Sequence, residues 1–170
     1  RISDETLHFN GESTLISLQN GGGKSVLVQM LTAPFVHPRY RNTKDRLFES
    51  YFTTNKPSFI LVEWALDQGA GYVLTGLMVR KSQDMEEDRK ENLDIIGIVS
   101  EYQSPCIQDI HHLPVVEKGK KEMILKNFNS CRQLFETYKK DRDMKFFYYD
   151  LTNYAQSRQY FDKLMEYQIN

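Results

Sequence analysis

Cysteine is nearly absent from this 170-residue chain: only Cys106 and Cys131 occur, far apart and outside any CxxC spacing. A disulfide framework is therefore not what stabilises it. Free, buried thiols in a reducing, cytoplasmic setting are the expectation. Excess charge of one sign is absent too. The formal net charge is −1, so no global field draws nucleic acid or an anionic membrane, and any such contact must be a local patch. The apolar runs are too short to span a bilayer, and no secretory signal pattern opens the chain, so no membrane association is expected. No internal repeat or low-complexity segment appears. The chain opens on Arg1 without a methionine and closes on an uncapped helical pattern, as expected of a piece of a longer protein.

Aromatic residues are plentiful: ten Tyr, ten Phe and one Trp. At this length they suffice for one domain, spanning residues 1–170, with a real core.

Glycine is sparse, nine in all, yet three are consecutive. Gly21, Gly22 and Gly23 lie inside Leu15-Ile-Ser-Leu-Gln-Asn-Gly-Gly-Gly-Lys-Ser-Val-Leu-Val-Gln-Met-Leu31. A short apolar run leads into the glycines, Lys24 and Ser25 follow, and a helical pattern continues. Strand, phosphate loop, helix is the expected order. Glycines let backbone N–H groups curl around phosphate oxygens, and the helix directs its positive end at the same place. Lys24 supplies a mobile cation for the outer phosphates, and the Ser25 hydroxyl suits Mg²⁺. The pattern G-x-x-x-x-G-K-[ST] is met at Gly23, Lys24 and Ser25. Its first glycine falls on Leu18, whose bulk requires an altered turn or weakens binding. Gln19, Asn20, Gly21, Gly22, Gly23, Lys24, Ser25 and Val26 are the candidate ATP·Mg²⁺ residues, with Lys24 the candidate catalytic one. A glycine-rich turn with a surface lysine is the plainer alternative.

Around this stretch, two strands joined by a turn at Asn10-Gly11 are expected, the second running from Ser13 to Leu18. The helix after the loop should end near Thr32, before Pro34, with Val26, Leu27, Met30 and Leu31 on one apolar face. A loop with four cations, Arg39, Arg41, Lys44 and Arg46, follows, with Tyr40 among them. It is either a DNA-backbone contact or an ordinary polar loop. Leu47, Phe48, Tyr51 and Phe52 suggest a short amphipathic helix. Ser58–Leu66 and Tyr72–Arg80 read as a hairpin, 82–92 as a solvated mobile loop, and Leu93–Tyr102 as a strand. A small hairpin should turn at Lys118-Gly119. Ser130 with Gln133 and Asn153 with Gln156 have capping-box spacing. Lys145–Asp150 reads as a buried strand. Tyr154, Phe161, Leu164 and Met165 are expected on one side of a closing helix.

The order of elements departs from the alternation of a simple doubly wound fold. An α/β core with an attached antiparallel subsheet fits better. This arrangement resembles the N-terminal head segment of the SMC-type ATPases, the chromosome-organising and DNA-repair ATPases with long coiled coils. Asn20-Gly-Gly-Gly-Lys-Ser25 is similar to the family's N-G-x-G-K-S loop, and Arg39-Tyr-Arg-Asn-Thr43 sits where members carry a DNA-facing arginine loop. The hairpin across Phe59–Val79 sits where they carry an antiparallel subsheet. The details look closest to the MukB-like and Wadjet-type bacterial branch. The resemblance implies a P-loop NTPase fold of ABC/SMC-head type, with a mixed sheet, an antiparallel subsheet and helices packed on it. It further implies ATP and Mg²⁺ as cofactors and an ATPase site completed by a C-terminal lobe of the same protein. A second head joined through ATP, DNA, and kleisin-type accessory subunits are the implied partners, in chromosome organisation, repair or anti-plasmid defence.

A hydrolytic phosphate-loop site also needs a carboxylate at the end of a buried strand. Phe146-Phe-Tyr-Tyr-Asp150 and Phe59-Ile-Leu-Val-Glu63 supply candidates, with Asp150 preferred. Neither carries the extra acidic residue or glycine-rich signature that the family requires, so the carboxylate is expected to lie outside this chain. Gln103 and Gln108 are the candidates for the γ-phosphate-sensing glutamine that the resemblance implies; surface amides are the alternative. Adjacent His111 and His112, near Asp109 and Cys106, read as a polar loop rather than a metal site. Two other functions stay open: a self-contained NTPase or kinase using Asp150, and an interaction or DNA-binding module with a degenerate loop.

Overall fold

The computed structural model describes residues 5–84, 88–105, 113, 115–141 and 145–169. Its centre is a four-stranded sheet in the order β1 (Ser58–Ala65), β2 (Tyr72–Lys81), β3 (Leu93–Tyr102), β6 (Phe146–Asp150), antiparallel throughout. A separate two-stranded ribbon pairs β4 (Val116–Lys118) with β5 (Met123–Leu125). Among the described residues three α-helices accompany the strands: α1 (Lys24–Thr32), α2 (Phe128–Asp141) and α3 (Tyr154–Glu166).

Period-two alternation sends each central strand to two cores. Val73, Leu77, Val79, Ile95 and Val99 face Tyr160 and Leu164 of α3 and the segment around Ala33 and Phe48. Leu74, Met78, Ile96 and Ile98 face Phe128, Cys131 and Phe135 of α2. Both faces of β2 and β3 are therefore covered, and their sequences are correspondingly apolar. Two glycines of the central strands allow close approaches. A Cβ on Gly76 would run into the Ile60 carbonyl oxygen of β1, and one on Gly97 would lie 2.6 Å from the Tyr160 ring. Thr75 is fully buried, but its hydroxyl is satisfied: it accepts from Trp64 Nε1 at 2.9 Å.

Strand boundaries from Ser58 to Tyr102 fall within about one residue of expectation, because β-branched runs and turn residues coincide there. Helix α1 ends at Thr32, as Pro34 requires. Cys131 is buried, and burial pushes its thiol up to about 11. No helix of the described residues is long and apolar enough to cross a membrane.

Several expectations need correction. The sheet of the described residues is antiparallel rather than mixed. Residues 5–19 form no ladder: the Asn10-Gly11 turn is present, with φ of 53° and 71°, but its flanks do not pair. Leu7, Phe9, Leu15 and Ile16 stay exposed, Leu15 at 93%. Alternation alone makes no strand without a face to bury or an edge to join. Leu47–Phe52 contains only one 3₁₀ turn, Phe48–Tyr51. Helix α2 begins before Ser130, and its capping side chain is Asn127, whose Oδ1 accepts from Ser130 N at 2.8 Å. Asn153 does cap α3, accepting from Gln156 N at 3.1 Å. On α3, however, Tyr160 and Leu164 are the buried pair, while Tyr154 and Met165 face solvent.

Candidate functional site

The glycine triplet makes a specific backbone shape. Gly22 N donates to Gln19 O at 2.9 Å, closing a turn whose third residue, Gly21, has φ 81°. Gly23 follows at φ 82°, ψ 21°, and is the N-cap of α1. Side chains are strained at both left-handed positions. Gly22 is needed for another reason: its Cβ would sit 2.9 Å from Gln19 O.

The helix that starts here has an open N-terminus. Its first internal bond runs from Leu27 N to Gly23 O at 2.9 Å. The N–H groups of Lys24, Ser25 and Val26 lie ahead of that bond and have no intrahelical acceptor. Gly23 offers no side-chain cap, and the first turn contains no acidic residue. Lys24 and Ser25 are exposed. The turn, the free N–H groups, the cation and the hydroxyl thus meet at one exposed corner, together with Gln19 and Asn20. Leu18, before the turn, is half-buried.

The cationic segment divides into exposed and buried parts. Arg39 is exposed: its guanidinium lies 4.5 Å from the Tyr40 ring centroid and donates to the Tyr40 hydroxyl at 2.6 Å. Lys44 and Arg46 are exposed, and Arg46 stacks 4.2 Å from the Tyr51 ring centroid. Arg41 corrects the expectation of a DNA contact. It is 2% exposed, donates from Nε to Ala33 O at 3.1 Å, and lies over the Phe48 ring. Burial lowers its pKa, and the negative charge of Glu91 works against that shift. Arg41 therefore holds the loop from inside, leaving Arg39, Lys44 and Arg46 outside.

The acidic candidates are engaged elsewhere. The Asp150 carboxylate accepts from Arg132 Nη2 at 3.4 Å and from both the N–H and hydroxyl of Thr152, at 3.1 and 2.6 Å. Those contacts end β6 and start the turn into α3. No residue of 19–26 is among these partners. Glu63 Oε2 accepts from the Tyr102 hydroxyl at 2.5 Å, tying the edge strand to β3. Gln103 is exposed just past β3, beside Gly71. Cys106, Gln108, Asp109, His111 and His112 lie outside the described residues; among those described, no group of three His, Cys, Asp or Glu could hold a metal.

Sequence reasoning missed Gln29. It is 5% exposed, the one buried residue of α1, and it sits among Val26, Leu27, Met30 and Leu31. A lone amide inside an apolar stripe was the available signal. It also missed the contacts made by Arg89 and Asn92 at the end of the acidic and basic stretch. There Arg89 donates to Asp94 at 3.1 Å, and Asn92 N donates to Glu49 Oε2 at 2.9 Å. Burial raises the Glu91 carboxyl above its ordinary value, against the pull of Arg41.

No family model matches the chain, and neither a curated protein nor a solved structure matches it.

Proposed function

We propose that this chain is the ATP-binding N-terminal lobe of an SMC-like ATPase acting on DNA, with a P-loop NTPase fold. The observation that carries the reading is the open corner at Gly21–Ser25. Two left-handed glycines and a third whose Cβ would crowd Gln19 O lead into a helix whose first N–H groups have no acceptor among the described residues. Phosphate oxygens are acceptors of the right charge for that corner. Gln19 to Val26 would cradle the phosphates, Lys24 would reach the β/γ oxygens, and Ser25 would ligate Mg²⁺.

The site is half of a catalytic one. Asp150 is committed to Arg132 and Thr152, so the hydrolytic carboxylate is assigned to a C-terminal lobe of the same protein. The exposed, unpaired apolar residues of 5–19 support that assignment, because they have backbone groups and side chains for another sheet to take up. ATP would then join two heads, with DNA and kleisin-type subunits as partners, and the cytoplasm as the setting. The exposed cations Arg39, Lys44 and Arg46 are the DNA contacts in this reading.

The test is ATP·Mg²⁺ binding and turnover by the 170-residue chain. Stabilisation by millimolar ATP·Mg²⁺ that weakens in Ser25→Ala, with negligible turnover, is expected. Steady turnover abolished by Asp150→Asn would instead establish a self-contained NTPase.

A further inference from the structure

The contacts of Gln29 reach beyond its own helix. Its Nε2 donates to Arg41 O at 2.7 Å and to Arg46 O at 3.4 Å, and its Oε1 accepts from the Tyr51 hydroxyl at 2.8 Å. One amide of the phosphate-loop helix therefore holds the cationic loop at two points, with the aromatic residue under Arg46 at a third. Arg41 makes the reverse connection, from the loop to Ala33 O at the end of α1.

From this geometry we infer that Gln29 is the positioning residue through which nucleotide at the phosphate loop and polyanion at Arg39, Lys44 and Arg46 affect each other's binding. The inference rests on the proposed ATP site. Helix α1 is only 9 residues long, and its apolar side chains are half-buried or, at Val28, exposed. Its one buried residue, Gln29, is bonded to the loop. A buried amide cannot release its carbonyl partners without leaving polar groups unsatisfied, so helix and loop shift together. Phosphate oxygens engage α1 at its first turn; Gln29 lies in the second, on the same short rigid rod. A displacement of the rod on nucleotide binding is delivered to the carbonyls of Arg41 and Arg46, between which Lys44 projects.

Linkage makes the effect measurable from both sides. If ATP·Mg²⁺ changes affinity for a duplex by some factor, the duplex must change affinity for ATP·Mg²⁺ by the same factor. For the wild-type chain we expect a factor of about five or more, equal in both directions. In Gln29→Met, which keeps length and helix propensity but removes all three bonds, each ligand still binds alone and the factor falls to near one. Tyr51→Phe, which leaves both carbonyl bonds in place, retains the factor. A folded Gln29→Met that keeps the wild-type factor would overturn the inference. Hydrogen exchange of wild-type residues 39–46 with and without ATP·Mg²⁺ is a second reading that needs no variant. Altered protection of the loop is expected, and unchanged protection with nucleotide demonstrably bound overturns the inference alone. Absence of ATP·Mg²⁺ binding by the wild type overturns the proposed function, and this inference with it.

Discussion

The strand pair β2–β3 and residues 5–25 are built on opposite terms. In the first region β2 and β3 pair along their full length, and most side chains are buried. In the second, no ladder forms, Leu15 and Ile16 face solvent, and the glycine corner ends in an open helix terminus. One region satisfies its own polar and apolar groups. The other leaves both kinds unsatisfied, in adjacent places. Groups left open in this way are what a ligand and a partner sheet would satisfy, and that contrast underlies the proposed function.

The same substitution made in each region separates them most sharply. Gly76→Ala places a methyl against the β1 backbone at Ile60, which cannot move aside as a side chain would. We expect a loss of about 3 kcal/mol or more in urea unfolding. Gly21→Ala meets nothing within 4 Å, and only its positive φ is penalised, at about 1 kcal/mol. Its effect should instead fall on ATP·Mg²⁺ binding. Equal losses of stability at the two sites would erase the distinction.

Acid should act on the ordered region next. Burial alone would raise Asp94, but hydrogen bonds from Arg80 at 2.7 Å and Arg89 at 3.1 Å outweigh it and hold the carboxyl below its ordinary value. A carboxylate whose folded pKa is lowered stabilises the fold above its unfolded value and loses that contribution as pH falls through the folded one. Asp94→Asn should cost about 2 kcal/mol at neutral pH and flatten the decline in stability below pH 3.8, the ordinary value. An unchanged acid limb in the variant would contradict this.

The smallest expected effect on stability is at Lys44, on the outer side of the cationic loop. Lys44→Ala should leave the unfolding midpoint unchanged and reduce the salt dependence of duplex binding by about one unit of slope. Arg41→Ala should behave oppositely, lowering stability, since that guanidinium is buried against Ala33 and Phe48. If Arg41→Ala changed only the salt slope, the division of the loop into an inner and an outer part would be wrong.

The two regions also differ in how far the sequence disclosed them. The hairpin Ser58–Lys81, the strand Leu93–Tyr102 and the end of α1 were legible because local propensity and tertiary burial agree there. The alternation in 5–18 looked similar, yet residues 5–19 stay unpaired, because pairing needs an edge that no pattern within the segment can supply. The glycine corner was legible as a motif, since positive φ at Gly21 and Gly23 follows directly from what glycine permits. The role of Arg41 was not. Four cations in one loop look alike, and only the fold reveals which of them turns inward. Tyr160 was missed on α3 for a related reason: its burial depends on Gly97, 63 residues away, leaving room for its ring, and on Pro34 O, which accepts from its hydroxyl at 2.8 Å.

The central claim is that the corner at Gly21–Ser25 holds the phosphates of ATP. Titration of ATP·Mg²⁺ into the wild-type chain and into Lys24→Ala, with unfolding midpoints measured alongside, tests it most directly. Lys24 is exposed, so the variant should fold as stably as the wild type and bind no ATP at millimolar concentration. Undiminished affinity in a folded Lys24→Ala would contradict the claim.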